Sequence, residues 1–297
     1  MTKIIDGKKI AENIKIRLKK EIDLLRDKGV VPCLGVILVG NNPASKIYVN
    51  MKEKECIKLG ITSEVRGLKE ESSQEEVIKN IEEFNNNKDV NGILVQLPLP
   101  NHLNESEILM RVNPEKDVDG LHPINFGKLL AGEPNFIPCT PAGILEIFEC
   151  ENIDPEGKHA VIIGRSNIVG KPLAALLMRK AKGGNATVTI CHTRTKNLAH
   201  FTRQADIVIA AMGVPEGIKG DMVKEDSVVI DVGVNRVDDP LSKKGYRLVG
   251  DVHFESVEKK AKAITPVPGG VGPLTIAMLL KNTVYAAKIQ NLSSVNK

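Results

Sequence analysis

The sequence has no tryptophan, only 3% aromatic residues, and no uninterrupted apolar run approaching the length of a membrane span. A bilayer crossing needs about 20 such residues in succession, so no membrane span is expected. Few aromatics and a net charge of only +4 also argue against a nucleic-acid binder, which needs stacking platforms or a concentrated basic stripe. The five cysteines, at 33, 56, 139, 150 and 191, form no C-x-x-C pair and no Cys/His cluster at zinc spacing. They read as reduced thiols behaving as small buried hydrophobes, with a catalytic cysteine as the alternative, and no metal site is expected. Residues 1–15 are charged too early and too often for a secretory signal, which points to the cytoplasm.

What is present suits a soluble globular protein: 297 residues, 42% of them hydrophobic and 26% charged, enough for about two domains. The organising stretch is 159–180, HAVIIGRSNIVGKPLAALLMRK. Its first apolar run reads as a strand buried on both faces. It breaks at Gly164, and from Pro172 the pattern becomes helical, with Leu173, Leu176 and Leu177 on one face. Strand, tight turn and helix open a dinucleotide-binding unit, because a phosphate can sit on the free N–H groups and positive dipole of a helix N-terminus. The glycine pattern is atypical: Gly164, Ser166 and Gly170 give G-x-S-x-x-x-G. A plain strand-to-helix connection is the other reading.

The next strand, 187–191, is followed by His192-Thr193-Arg194-Thr195, where a ribose-binding acidic residue is the usual choice. Arginine and hydroxyls there favour a 2′-phosphate, hence NADP over NAD; the alternative is a solvated basic loop. Apolar runs at 206–211 and 227–233 continue the βαβ spacing and predict a parallel, doubly wound sheet.

In the N-terminal half, the spacing of Ile10, Ile14, Leu18, Ile22 and Leu25 predicts an amphipathic helix over 7–28. A buried strand over 34–40 then leads through Asn41-Asn42-Pro43 into a helix over 44–59. Tyr48 and Lys52, four apart, share a face of that helix near the strand's C-terminal end, the edge where open α/β sheets bind ligands. A helix over 74–85 precedes a strand over 92–100, in which Gln96 is either hydrogen-bonded structurally or aimed at a ligand. After a helix over 105–112, Pro114-Glu115-Lys116-Asp117-Val118-Asp119-Gly120 is a tight turn whose carboxylates either cap it or do chemistry. Residues 127–141 look like the domain connection, with Thr140 as N-cap and Pro141 in the first turn of the next helix, which runs to about Asn152. The Gly- and Pro-rich stretch 264–273 precedes a last helix over 274–288. It is either a ligand loop or a simple joint.

Taken together, eight stretches resemble the bifunctional methylene-tetrahydrofolate dehydrogenase/methenyl-tetrahydrofolate cyclohydrolase family. They are YVNMK at 48–52, GILVQLPLP at 92–100, PEKDVDG at 114–120, PCTP at 138–141, GRSNIVGKP at 164–172, CHTRT at 191–195, IDVGVNR at 230–236 and TPVPGGVGPLT at 265–275. Small departures are Leu274 in place of Met, His253 in place of an acidic residue, and an apparent insertion at 182–185 that bears on the cofactor loop.

The resemblance implies two α/β domains with an active-site cleft between them. The folate-binding one is expected over 1–139 plus 273–297, and a Rossmann-type NADP-binding one over 140–272. It implies NADP-dependent oxidation of methylene-tetrahydrofolate, then hydrolysis of the methenyl product to 10-formyltetrahydrofolate. Lys52 would be the base that activates water, its pKa brought from ~10.4 towards ~7 to 8, with Gln96 orienting it. Tyr48 would line the folate rings, Leu97 would lie against the substrate and Asp119 would accept hydrogen bonds from the pterin. Gly164, Arg165, Ser166, Thr193 and Arg194 would hold the phosphates and ribose, and the Val234 backbone the nicotinamide amide. Pro268, Gly269, Gly270, Val271 and Gly272 would close over the substrate. A homodimer through the nucleotide domain is also implied. Two alternatives are a dehydrogenase that lacks the hydration step or prefers NAD, and a non-catalytic NADP-binding regulator; the latter would have no need of Tyr48, Lys52, Gln96 and Asp119 together.

Overall fold

The computed structural model describes residues 1–242 and 245–295. Cα packing divides the chain into two compact units, one of 13–137 with the chain from Ile276 onward, the other of 1–12 with 138–275.

The chain begins with β1 (Lys3–Ile4) and α1 (Gly7–Arg26), whose Ile10, Ile14, Leu18 and Ile22 are buried as their spacing predicts. β2 (Cys33–Val39) is buried at every position. α2 (Pro43–Leu59) starts where Asn42 accepts from the N–H groups of Ala44 and Ser45, and it stops at Gly60, whose φ of 85° is open to glycine. β3 (Thr62–Leu68), α3 (Gln74–Asn86) and β4 (Gly92–Val95) follow, and the three strands form a parallel sheet in the order β3-β2-β4. Val77, Ile81 and Phe84 of α3 recur at helical spacing and pack on Ile37, Val39, Ile93 and Val95. The Arg66 guanidinium stacks 4.0 Å over the Phe84 ring and reaches Glu83 at 2.6 Å.

Three expectations are corrected here. The strand expected over 92–100 ends at Val95: the Gln96 N–H still reaches the Ile37 carbonyl at 2.8 Å, but Pro98 and Pro100 have no N–H with which to continue a ladder. After α4 (Glu105–Met110), α5 (Pro123–Leu130) occupies the first part of the expected connection, capped by the His122 ring with Pro123 at its first position. α6 (Cys139–Cys150) begins before Thr140, with Pro138 at the cap, so Thr140 is not an N-cap; its hydroxyl lies 3.0 Å from that of Thr275.

The other unit holds β5 (His159–Ile163), α7 (Gly170–Met178), β6 (Thr187–Cys191), α8 (Leu198–Thr202), β7 (Ile207–Ala210), β8 (Val228–Asp231), the hairpin β9 (Asn235–Asp238) and β10 (Tyr246–Val249), α9 (Phe254–Glu258) and β11 (Ala263–Ile264). The final helix, α10 (Val271–Val295), starts earlier and runs further than expected. Six strands pair in parallel in the order β1-β11-β8-β7-β5-β6. From β5 the chain crosses to β6 on one side and returns to β7 on the other. The C-terminal end of β5 is therefore the topological switch point, where open α/β sheets bind ligands. Val161, Ile163, Val208, Ala210, Val229 and Ile264 form the core beneath that edge. Residues 182–185 fold as a turn, the Gly184 and Asn185 N–H groups reaching the Ala181 and Arg179 carbonyls, that leads into the N-terminal end of β6, the opposite end of the strand from His192-Thr193-Arg194.

Candidate active site

In the first unit, β2 and β4 lie side by side in parallel, Val95 at the end of β4 opposite Ile37 and β2 running on to Val39, so both reach the same edge of the sheet. α2 rises from the end of β2 and carries Tyr48, 41% exposed, one turn before the half-buried Lys52. Gln96 is the first residue beyond β4 and is buried to 9% exposure. The Lys52 amine donates to Gln96 Oε1 at 2.9 Å, and Gln96 Nε2 donates to the Leu97 carbonyl at 2.6 Å. A buried amide needs partners for both ends; here one end is fixed to main chain and the other holds the amine. The two readings of Gln96 merge: the residue is satisfied, and what satisfies it is the lysine.

The two aspartates of the PEKDVDG turn separate by environment. Asp117 is buried and accepts from the N–H groups of Leu121 (3.1 Å) and His122 (2.8 Å) and from Asn125 Nδ2 (2.7 Å). Burial outweighs these bonds and pushes its carboxyl above the ordinary range. Lys116 is buried too; its amine donates to the carbonyls of Phe84 and Asn87 at the end of α3, and desolvation lowers its pKa. Asp119, half-buried, makes no hydrogen bond or ion pair with another described residue. Asp117 pairs by a parallel bridge with Ile93 of β4, so Asp119 and Gln96 are both held to the same strand. Asp117 and Lys116 are engaged in holding the turn, whereas the Asp119 carboxylate has no hydrogen-bond partner among the described residues.

In the second unit, the turn after β5 depends on two glycines. A Cβ on Gly164, whose φ is 140°, would lie 2.2 Å from the Ala211 carbonyl oxygen, and one on Gly170 would lie 2.1 Å from the Gly164 carbonyl oxygen. No side chain fits either place. Ser166 Oγ accepts from the Val169 N–H at 3.0 Å and, longer, from Gly170 at 3.5 Å, capping α7, whose N-cap residue has no side-chain bond of its own. Arg165 is exposed and its guanidinium has no partner among the described residues.

On the adjacent strand, the turn after Cys191 is closed by His192 and Thr195: the His192 N–H reaches Thr195 Oγ1 at 2.9 Å and the Thr195 N–H reaches the His192 carbonyl at 2.8 Å. This closure leaves Thr193 and Arg194 exposed, the latter's guanidinium again without a partner among the described residues. Cationic side chains without partners beside a glycine cradle at a switch point suit a dinucleotide carrying an extra phosphate.

Val234 follows β8 along the same edge. It is 49% exposed, and neither its N–H nor its carbonyl is taken by another described residue, a donor and an acceptor matched to an amide. Pro268, Gly269 and Gly270 lie between β11 and α10, and Val271 and Gly272 open α10. Gly7 packs so close to this loop that a Cβ on it would lie 1.8 Å from the Gly270 carbonyl oxygen, and Gly269 has a φ of 112°.

The residues that sequence reading missed are acids buried along this edge. Asp231 and Asp251, both nearly inaccessible, accept backbone N–H groups from three separate segments. Burial pushes Asp231 up to about 7. The signal lay in the flanking glycines: a Cβ on Gly250 would meet Asp231 Oδ2 at 1.8 Å, and one on Gly233 would meet Asp251 Oδ1 at 2.3 Å. Cys33, Cys56, Cys139 and Cys191 are buried thiols, as the sequence reading expects, with burial pushing Cys33 up to about 11 and Cys56 up to about 12; Cys150 departs from it and is exposed.

Residues 5–119 match the catalytic domain of the tetrahydrofolate dehydrogenase/cyclohydrolase family, and 138–291 its NAD(P)-binding domain. The bifunctional protein FolD of Oceanobacillus iheyensis is 56% identical over 288 residues, covering 97% of this chain and 98% of its own. Among solved structures, the bifunctional FolD methylenetetrahydrofolate dehydrogenase/cyclohydrolase of Campylobacter jejuni is 50% identical, with a TM-score of 0.92 over 97% of this chain and 99% of its own. The Trypanosoma brucei enzyme, solved with NADP cofactor and an inhibitor, is 39% identical, with a TM-score of 0.93 over 100% of this chain and 99% of its own.

Proposed function

The chain belongs to the tetrahydrofolate dehydrogenase/cyclohydrolase family, and from that premise we propose how its own residues carry out the two reactions. The enzyme oxidises 5,10-methylenetetrahydrofolate with NADP⁺ and hydrolyses the resulting 5,10-methenyltetrahydrofolate to the 10-formyl form. The observation that carries the assignment of roles is the Lys52–Gln96 hydrogen bond of 2.9 Å, because it puts a held amine at the strand edge where substrate is expected.

Lys52 is the general base of the hydration step. A water adds its oxygen to the methenyl carbon and gives one proton to the Lys52 Nζ. The bond from that carbon to N5 then breaks as the formyl carbonyl forms on N10; the hydroxyl proton goes to N5, and the lysine releases its own proton to solvent. For this the amine must be neutral part of the time, and the cationic methenyl group beside it disfavours the charged form. Gln96 orients the amine, Tyr48 supplies an aromatic face for the folate rings, Leu97 adds apolar contact, and Asp119 accepts hydrogen bonds from the pterin's N–H groups. Folate chemistry is thus assigned to the unit that carries Lys52, and cofactor binding to the unit that carries Gly164.

The glycine cradle and the two arginines fit a phosphorylated dinucleotide. Gly164, Arg165, Ser166 and Thr193 hold its phosphates and ribose, Arg194 its 2′-phosphate, and the Val234 main chain its carboxamide. When bound, NADP⁺ supplies the hydride acceptor. The edge strand β6, with Ile190 39% exposed, supports a homodimer formed through this unit, and neutral buried thiols suit a reducing compartment such as the cytoplasm.

An absorbance assay with methylenetetrahydrofolate tests the whole assignment. Methenyl should appear with NADP⁺ much faster than with NAD⁺ and then decay by hydrolysis; no NADP⁺-dependent appearance would remove it.

A further inference from the structure

Val234 sits in a frame made by two buried carboxylates. Asp251, 0% exposed, accepts at Oδ2 from the N–H groups of Met212 (2.6 Å) and Gly213 (2.9 Å), and at Oδ1 from Asn235 Nδ2 (2.9 Å). Asp231 accepts at Oδ1 from the N–H groups of Gly233 (3.0 Å) and Asp251 (2.9 Å), and at Oδ2 from that of Val252 (2.9 Å). The residue before Val234 is thereby tied to Asp231 and the residue after it to Asp251. Asp251 also holds the loop after β7, so its carboxylate joins that strand end at the cofactor edge to the start of the β9–β10 hairpin, while its N–H ties it to Asp231 at the end of β8. The network leaves Val234's own N–H and carbonyl free to face a ligand.

We propose that Asp251, acting through the Asn235 side chain, is a positioning residue for the nicotinamide end of NADP and governs the oxidation step but not the hydration step. This rests on the reading that the Val234 main chain receives the carboxamide. Three N–H donors converge on Asp251, and an ionised carboxylate accepts at both oxygens. An amide in its place keeps one acceptor oxygen but turns an NH₂ towards the NH₂ of Asn235, which can answer it only by turning its own amide over. Asn235 then loses its charged anchor and its present orientation, and the Val234 groups turn away from the geometry that an amide ligand needs. The same chemistry run in reverse repairs the pair: with the carboxylate moved to position 235, donor and acceptor face each other again.

The test uses the full-length enzyme with two separate assays, methylenetetrahydrofolate oxidation by NADP⁺ and hydration of methenyltetrahydrofolate in the absence of any nicotinamide. Asp251→Asn should raise KM for NADP⁺ by about 10- to 100-fold, the loss expected for a hydrogen bond to a charged group, with the hydration rate within twofold of wild type. Asn235→Asp added to Asp251→Asn should bring KM for NADP⁺ back to within a few-fold of wild type. Equal losses in both assays, or a double variant no better than the single one, would overturn the proposal, since general damage to the fold gives that pattern. Should Asp251→Asn fail to fold, Asn235→Ala decides: a raised KM for NADP⁺ with normal hydration supports the role, and an unchanged KM refutes it. Wild-type enzyme unable to use NADP⁺ would instead overturn the functional reading beneath it, and the proposal with it.

Discussion

The Lys52 amine donates to Gln96 Oε1 at 2.9 Å, while the Gln96 amide is itself fixed by a 2.6 Å bond to the Leu97 carbonyl. Gln96 thus steers the lysine with a neutral acceptor, which does not favour the protonated amine as strongly as a carboxylate in the same place would. Gln96→Glu should raise the Lys52 pKa by about 1 to 3 units, the usual effect of an opposite charge at this range. The hydration pH profile should move to higher pH by that amount, with activity at pH 7 falling roughly 10-fold or more. A profile that stays in place would separate Gln96 from control of the base.

Arg194 carries the choice of cofactor. Arg194→Ala should weaken NADP⁺ by about 10- to 100-fold, as expected for losing a charged hydrogen bond, and should change KM for NAD⁺ less than threefold. Equal effects on both cofactors would remove Arg194 from the 2′-phosphate site.

Gly170 leaves no room for a methyl group. Its Cβ would lie 2.1 Å from the Gly164 oxygen and 2.9 Å from the Arg165 Cα, so Gly170→Ala must push the cradle open, at a stability cost of about 1 to 3 kcal/mol. NADP⁺ binding followed by calorimetry should be lost at concentrations that saturate wild type, with hydration retained. Normal cofactor affinity in this variant would contradict the placement of phosphates on the turn.

Asp231 predicts a pH dependence of unusual sign for a carboxylate. Burial raises its pKa from 3.8 to about 7, with Asp251 adding repulsion and the N–H groups of Asp251, Val252 and Gly233 opposing the shift. Between those two values the folded chain keeps a proton that the unfolded chain has released, so this group lowers stability as pH rises across the window. Asp206 acts in the opposite sense: hydrogen-bonded to Lys224, it has a lowered pKa, and its contribution disappears as pH falls through that value. Carbon-13 titration of the aspartate carboxyls should show one group with a midpoint near 7; ordinary midpoints for every aspartate would contradict this burial.

The sequence made the β5–Gly164–α7 unit legible because a fully apolar strand, a glycine break and a leucine-faced helix have few other readings. That Tyr48 and Lys52 share a face of one helix is legible because i,i+4 spacing is local, whereas the partner of Gln96 requires knowing that β2 and β4 are neighbours. β3 was missed because Thr62–Leu68 mixes charged residues and a glycine on a half-exposed edge, with no apolar run to mark it. β1 and β11, two residues each, exist only through pairing with strands far along the chain. The Asp231–Asp251 frame was hidden for the same reason: a buried acid and its backbone donors are brought together by the sheet, not by the local pattern.

The most direct measurement follows methenyltetrahydrofolate by absorbance after Lys52→Met enzyme is mixed with methylenetetrahydrofolate and NADP⁺. The side chain keeps its length and loses its basic amine, removing a general base of the kind typically responsible for about 10²- to 10⁴-fold in rate. Methenyl should form and then persist, decaying no faster than it does without enzyme, while NADP⁺ affinity stays near wild type. Decay at the wild-type rate would show that the hydration step does not use Lys52.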